Sequence, residues 1–131
     1  MKILIAPDSF KDCLSARGVA AALAKGIRSI LPDVDCMLVP MADGGEGTVE
    51  SVIDATRGKR IALKVMDPLM RETGSFYGIT GDGQTAVIEM AAASGLELLK
   101  VEERNPWITS TFGTGQLIKD ALDRGVRKIL L

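Results

Sequence analysis

No histidine occurs among the 131 residues. That excludes a Ser–His or Cys–His catalytic pair within this chain and removes the commonest zinc ligand. Any proton transfer must then use Asp, Glu, Lys, Cys or Tyr. Only two cysteines are present, Cys13 and Cys36. Their spacing fits no metal or CxxC pattern, so they read as free, buried thiols in a reducing compartment. No apolar run approaches the length of a membrane span, and Met1–Ala6 turns into Pro7-Asp8 too soon for a signal peptide. The expected location is the cytoplasm. With a formal net charge of −1 and mixed signs along the chain, nothing points to a nucleic-acid or membrane-surface partner. Neither GxxxxGK[ST] nor GxGxxG occurs, so both familiar nucleotide fingerprints are missing. There is no internal repeat or low-complexity tract.

What is present suits a soluble globular protein: 47% apolar and 25% charged residues, in a length sufficient for one ordinary domain. Lys2–Ala6, apolar after its lysine, is a run of the kind buried on both faces of a parallel sheet. Ser15 can cap a helix reaching about Leu31, with Val19, Leu23, Ile27, Ile30 and Leu31 on one face, and Pro32 stops it. Val34–Val39 is a second strand. A second helix follows to about Arg57-Gly58, and Ile61–Val65 is a third strand. This alternation predicts an α/β fold that begins with a parallel, doubly wound βαβαβ unit.

The pattern then changes. Met66-Asp67-Pro68-Leu69 is a break. Glu72–Ile79, Gly81-Asp82-Gly83 and Gln84–Met90 read as a β-hairpin. We therefore expect residues 1–64 to form a Rossmann-like segment and residues 65–131 to begin a second α/β domain that contains the hairpin. Ala91–Gly95 is a short helical turn. Thr109–Gly115 is a small-residue loop entering a helix from Gln116 to about Arg124, with Asp120 and Arg124 as an i, i+4 pair. Lys128–Leu131 opens another apolar strand, and ending there reads as a fragment with an incomplete fold. The unpaired sheet edges predict marginal stability or self-association.

One stretch makes no sense as packing. Met41-Ala42-Asp43-Gly44-Gly45-Glu46-Gly47-Thr48 lies between the second strand and the second helix. Glycine admits φ > 0, so backbone amides can turn toward a bound anion at the helix start. Asp43 and Glu46 offer hard oxygen ligands or a proton acceptor. The plainer alternative is a tight turn with Thr48 as N-cap. In a doubly wound sheet, the loop Asp8–Lys11 would emerge at the same edge, so Asp8, Lys11 and Asp43 could converge. A lysine beside two carboxylates suits phosphoryl transfer: the cation offsets phosphate charge, one carboxylate can hold Mg²⁺, and the other can accept a hydroxyl proton. The alternative for Asp8 and Lys11 is a solvated turn. Gly113-Thr114-Gly115 could hold a phosphate or carboxylate on backbone amides, or be an ordinary helix entry. Arg104 could clamp a small carboxylate or simply face solvent. Glu89 is an edge charge or a site residue.

Several longer motifs resemble one family. They are Ile5–Lys11, Val39–Thr48, Ala86–Ala91, Glu103-Arg104-Asn105-Pro106 and Thr111–Gly115, and together they are similar to bacterial glycerate kinases along the whole chain. The resemblance implies transfer of the ATP γ-phosphoryl group to D-glycerate with Mg²⁺, in two α/β domains flanking a cleft, with a homo-oligomer as an open option. It also implies a longer chain, with a glycine-rich Gly-Ser-Ala-Thr-Asn-Asp-Gly-Gly loop after the strand beginning at Lys128. Asp12-Cys13 departs from the Gly-Ser usual there. Under this reading Asp43 is the base or metal ligand, and Lys11 and Asp8 flank the phosphoryl group. Ser9, Gly44, Gly45, Glu46, Thr48, Arg104, Thr111, Gly113, Thr114 and Gly115 are substrate-binding candidates. The fragment alone is expected to be inactive. The alternative reading is a non-catalytic α/β module that binds a small anion at the Asp43–Thr48 loop.

Overall fold

The computed structural model describes residues 1–10 and 13–131; Lys11 and Asp12 lie outside the described residues. The chain is a mixed α/β fold that divides into two compact units, Met1–Ser51 and Val52–Leu131.

In the first unit, strand β1 (Lys2–Ile5) pairs in parallel with β2 (Asp35–Leu38), in a register that sets Lys2 opposite Asp35 and Ile5 opposite Leu38. Helix α1 (Ala16–Ile30) connects them. The Ser15 hydroxyl accepts the Gly18 amide, satisfying one of the orphan N–H groups at the helix start. Ile5, Ala20 and Ala24 form the small core, with Ile3, Ile27 and Cys36 packed against it. The inward face of α1 is thus built mainly from Ala16, Val19, Ala20 and Ala24, while Leu23 and Ile30 are exposed. Alanines let the helix approach the strands closely, which the larger side chains would prevent. Leu4 (64% exposed) and Met37 (54%) lie open, so β1 and β2 are not covered on both faces as their apolar runs predict. Cys36 is half-buried, but Cys13 is exposed.

Helix α2 (Thr48–Thr56) contains the boundary between the units. The second unit holds a four-stranded sheet in the order β3 (Lys59–Met66), β4 (Glu72–Ile79), β5 (Thr85–Val87), β6 (Lys128–Leu130). The first two pairings are antiparallel and β5–β6 is parallel. The expected β4–β5 hairpin is present. A βαβαβ unit with three parallel strands is not: β3 pairs along its whole length with β4, from Lys59 opposite Ile79 to Met66 opposite Glu72. A connection of five residues, 67–71, makes that pairing local.

Helix α3 (Ala91–Ser94) and helix α4 (Phe112–Asp123) pack on this sheet. Val65, Tyr77, Ile79, Ala86, Ile88, Ala93, Leu117, Ala121 and Val126 make its core. Helix α4 begins at Phe112 rather than Gln116, because Gly113 lets it lie directly on β3. A Cβ at Gly113 would stand 2.0 Å from the Met66 carbonyl oxygen. The Gln116 side-chain oxygen accepts the Met66 amide at 2.8 Å, which would otherwise lack a partner at the strand end. Among the described residues no helix is long and apolar enough to cross a membrane.

Candidate phosphate-handling rim

The parallel ladder of the first unit does not stop with its strands. The Val39 amide donates to the Ile5 carbonyl at 2.8 Å, and the Met41 amide donates to the Pro7 carbonyl at 2.9 Å. Asp8 follows Pro7 and Asp43 lies two residues after Met41, so both acidic loops leave the sheet at the same end, side by side. This is the carboxyl end of the strands, where open α/β sheets bind ligands. Asp8 and Asp43 are both exposed. Lys11, expected beside them, lies outside the described residues.

Each carboxylate is oriented by its own loop. Asp8 Oδ1 accepts the Ser9 amide at 2.6 Å, and Ser9 is half-buried. Asp43 Oδ1 accepts the Gly45 amide at 3.0 Å, closing a turn within the loop. Gly44 (φ +100°) and Gly47 (φ +88°) occupy the left-handed region that other residues rarely adopt. The Thr48 hydroxyl donates backwards to the Gly45 carbonyl at 2.7 Å. The loop is thereby tied to the first turn of α2, with Glu46 exposed at its apex. Val49, fully buried, anchors that turn.

Among the described residues no three His, Cys, Asp or Glu side chains form a cluster that could hold a metal by themselves. Two carboxylates on neighbouring loops nevertheless suit Mg²⁺, which favours hard oxygens and is usually held by one or two carboxylates plus substrate phosphates and water.

Arg104 and Thr111–Gly115 belong to the second unit. Arg104 is exposed, and its guanidinium donates to the Leu96 carbonyl at 3.3 Å. Thr111 precedes α4 and makes no side-chain cap; the Ser110 hydroxyl instead accepts the Phe112 amide at 3.1 Å. Gly113 and Thr114 are buried within the first turn of α4 rather than in a free loop. The Thr114 and Ser94 hydroxyls share a 2.7 Å hydrogen bond. Gly115 is exposed, with open space where a Cβ would stand. Glu89 is half-buried just beyond β5.

Two charged networks in this unit escape a reading by sequence spacing. Asp67, only 5% exposed, accepts the Leu69 amide (2.8 Å) and the Arg71 amide (2.9 Å) on Oδ1, and Arg71 Nε (2.6 Å) on Oδ2. Arg71 Nη1 continues to Glu103 Oε1 at 2.9 Å. Burial acts to raise the Asp67 carboxyl, but the hydrogen bonds from Arg71 and Leu69 outweigh it and hold the group below the usual carboxylate range. The Arg71 hydrogen bonds lower Glu103 as well, helped by the Lys100 amide. The second network joins Tyr77, Asp120 and Arg124. The Tyr77 hydroxyl donates to Asp120 Oδ2 at 2.8 Å, which also accepts Arg124 Nε at 2.7 Å. Burial, then this bond, push the Tyr77 phenol up to about 12. The Asp120–Arg124 spacing is visible in the sequence, but the tyrosine 43 positions away is not.

Comparison with known proteins gives a consistent picture. The sequence profile of the Glycerate kinase family matches residues 3–131. The chain is 56% identical over 131 residues to a glycerate kinase of Haemophilus influenzae, covering all of this chain and 35% of that protein. It is 53% identical to the glycerate 2-kinase of Escherichia coli, again covering all of this chain and 34% of the relative. A crystal structure from Salmonella typhimurium LT2, provisionally assigned as glycerate kinase 2, superposes with a TM-score of 0.85 at 52% identity. That match covers 98% of this chain and 35% of the other. The chain thus spans about a third of the length of the curated relatives it matches.

Proposed function

The chain belongs to the glycerate kinase family, and on that premise we propose that the full-length protein containing it transfers the ATP γ-phosphoryl group to a hydroxyl of D-glycerate, releasing ADP and phosphoglycerate. The observation that carries this reading is the extension of the parallel ladder to Met41 and Pro7, which sets Asp8 and Asp43 on adjacent loops at one rim.

In this account Asp43 is the working group. As a base it accepts the proton of the attacking glycerate hydroxyl as the oxygen–phosphorus bond forms and the bond to ADP breaks. Asp8, Ser9 and Lys11 flank the transferring group, with the lysine offsetting its charge. With Asp43 as the base, Asp8 is the rim residue whose oxygens would hold Mg²⁺, which when bound would offset phosphate charge. Gly44, Gly45, Glu46 and Thr48 shape the surface on which the anion rests, through the positive-φ backbone of their loop. In the second unit, Arg104 is the candidate to bind the glycerate carboxylate, and Thr111, Gly113, Thr114 and Gly115 are further substrate-binding candidates by the family resemblance. Most of the catalysis in such a site is positioning and electrostatics rather than covalent chemistry.

The test is a coupled assay on the full-length protein with ATP, MgCl₂ and D-glycerate. Glycerate-dependent ADP release with phosphoglycerate formed in equal amount is the expected result. Binding of ATP or glycerate with no turnover above background would overturn the proposal.

A further inference from the structure

Arg104 projects from a short 3₁₀ turn, Val101–Glu103, whose backbone bonds run from Glu103 N–H to the Lys100 carbonyl, from Arg104 N–H to the Val101 carbonyl and from Asn105 N–H to the Glu103 carbonyl. The Glu103 carboxylate reinforces it by accepting the Lys100 amide at 3.1 Å. That same carboxylate accepts both terminal nitrogens of Arg71, Nη1 at 2.9 Å and Nη2 at 3.4 Å, and Nη2 also reaches the Leu98 carbonyl at 3.4 Å. Arg71 in turn is held by the buried Asp67 through Nε and its own amide. The turn between β3 and β4 grips the next segment too, since the Ser110 amide donates to the Pro68 carbonyl at 2.9 Å. One rigid turn of the sheet therefore carries the peptide on both sides of Arg104.

We infer that Arg71, fixed by Asp67, is a positioning residue that holds the 101–104 turn so that Arg104 meets the substrate carboxylate. The inference rests on the reading above, in which Arg104 contacts glycerate. A guanidinium suits this place because its planar fork satisfies Asp67 and Glu103 at once, a geometry that an ammonium reproduces only in part. The role differs from simple bracing because its effect passes through the residue next to Glu103.

The experiment measures kcat, KM for D-glycerate and melting temperature for full-length wild type, Arg71→Met, Arg71→Lys, Arg104→Met and the Arg71→Met/Arg104→Met double variant. Arg104→Met should raise KM roughly tenfold or more with kcat little changed, the signature of lost uniform binding. Arg71→Met should raise KM in the same way, Arg71→Lys should restore part of it, and the double variant should be no worse than Arg104→Met alone, because contacting residues are non-additive. If Arg71→Met does not fold, Glu103→Gln is read in its place with the same expectations. A lowered melting temperature with unchanged KM in the Arg71 or Glu103 variant, while Arg104→Met raises KM, overturns this inference alone. Additive KM effects overturn it equally. An unchanged KM in Arg104→Met instead removes the substrate role of Arg104, and this inference falls with it.

Discussion

The Met41 amide donates to the Pro7 carbonyl at 2.9 Å, beyond the last paired residues of β1 and β2. That bond sets the Asp8 and Asp43 loops side by side, and the proposed chemistry depends on it.

The glycines of α4 have opposite expected effects. A Cβ at Gly113 would overlap the Met66 carbonyl, so Gly113→Ala should cost about 1–3 kcal/mol, the usual penalty of overpacking, or more if the backbone cannot yield. Gly115 has open space in a helix, where Ala is favoured over Gly by roughly 0.5–1 kcal/mol. Gly115→Ala should therefore keep or raise stability while weakening substrate binding. Urea unfolding of both full-length variants, paired with KM for D-glycerate, checks this. A tolerated Gly113→Ala would contradict the close approach of α4 to β3.

Acid should loosen the brace around Arg71. Asp67 and Glu103 both have folded-state carboxyls held below their ordinary values. Their contribution is present in full above the unfolded pKa of about 4 and is lost as pH falls through the lowered folded values. Asp67→Asn should flatten the acid limb of a stability–pH curve, and an unchanged limb would count against the network.

Alkali acts on the other network. Tyr77 is raised to about 12, so its contribution is complete below the unfolded value near 10 and disappears as pH rises through 12. Tyr77→Phe should cost about 1–2 kcal/mol at neutral pH, a hydrogen bond to a charged acceptor, and remove that alkaline loss. Stability–pH curves of the two proteins should converge above pH 12; parallel curves would show that Tyr77 does not titrate as argued.

The 131-residue chain by itself should not turn over glycerate, since it spans about a third of the relatives' length and phosphoryl transfer relies on a complete constellation. Glycerate-dependent ADP release by this purified segment would contradict that expectation.

Features set by neighbouring residues were legible in the sequence. The Ser15 cap, the Asp120–Arg124 pair, the β4–β5 hairpin and the acidic glycine loop each depend on a few adjacent positions. Pairing partners were not. The apolar run Ile61–Val65 has the same pattern whether its neighbour is parallel or antiparallel, and only the tight turn at Asp67–Met70 decides for β4. The start of α4 was misplaced because Gly113, Thr114 and Gly115 are poor helix formers, whereas contact with the Met66 carbonyl overrides propensity there. In α1 the alanines, not Leu23 and Ile30, face the sheet, since helical spacing identifies several stripes and packing selects one. The Asp67–Arg71–Glu103 network joins residues 32 positions apart, which no local pattern reveals.

The most direct measurement is kcat for Asp43→Asn in the full-length protein, alongside nucleotide binding by calorimetry. The asparagine keeps the side-chain oxygen that accepts the Gly45 amide, so the loop should hold its shape while losing its negative charge. The account predicts near-normal stability and a kcat lowered by about 10²–10⁴-fold, the range for a lost acid–base group. Turnover within a few-fold of wild type would contradict it.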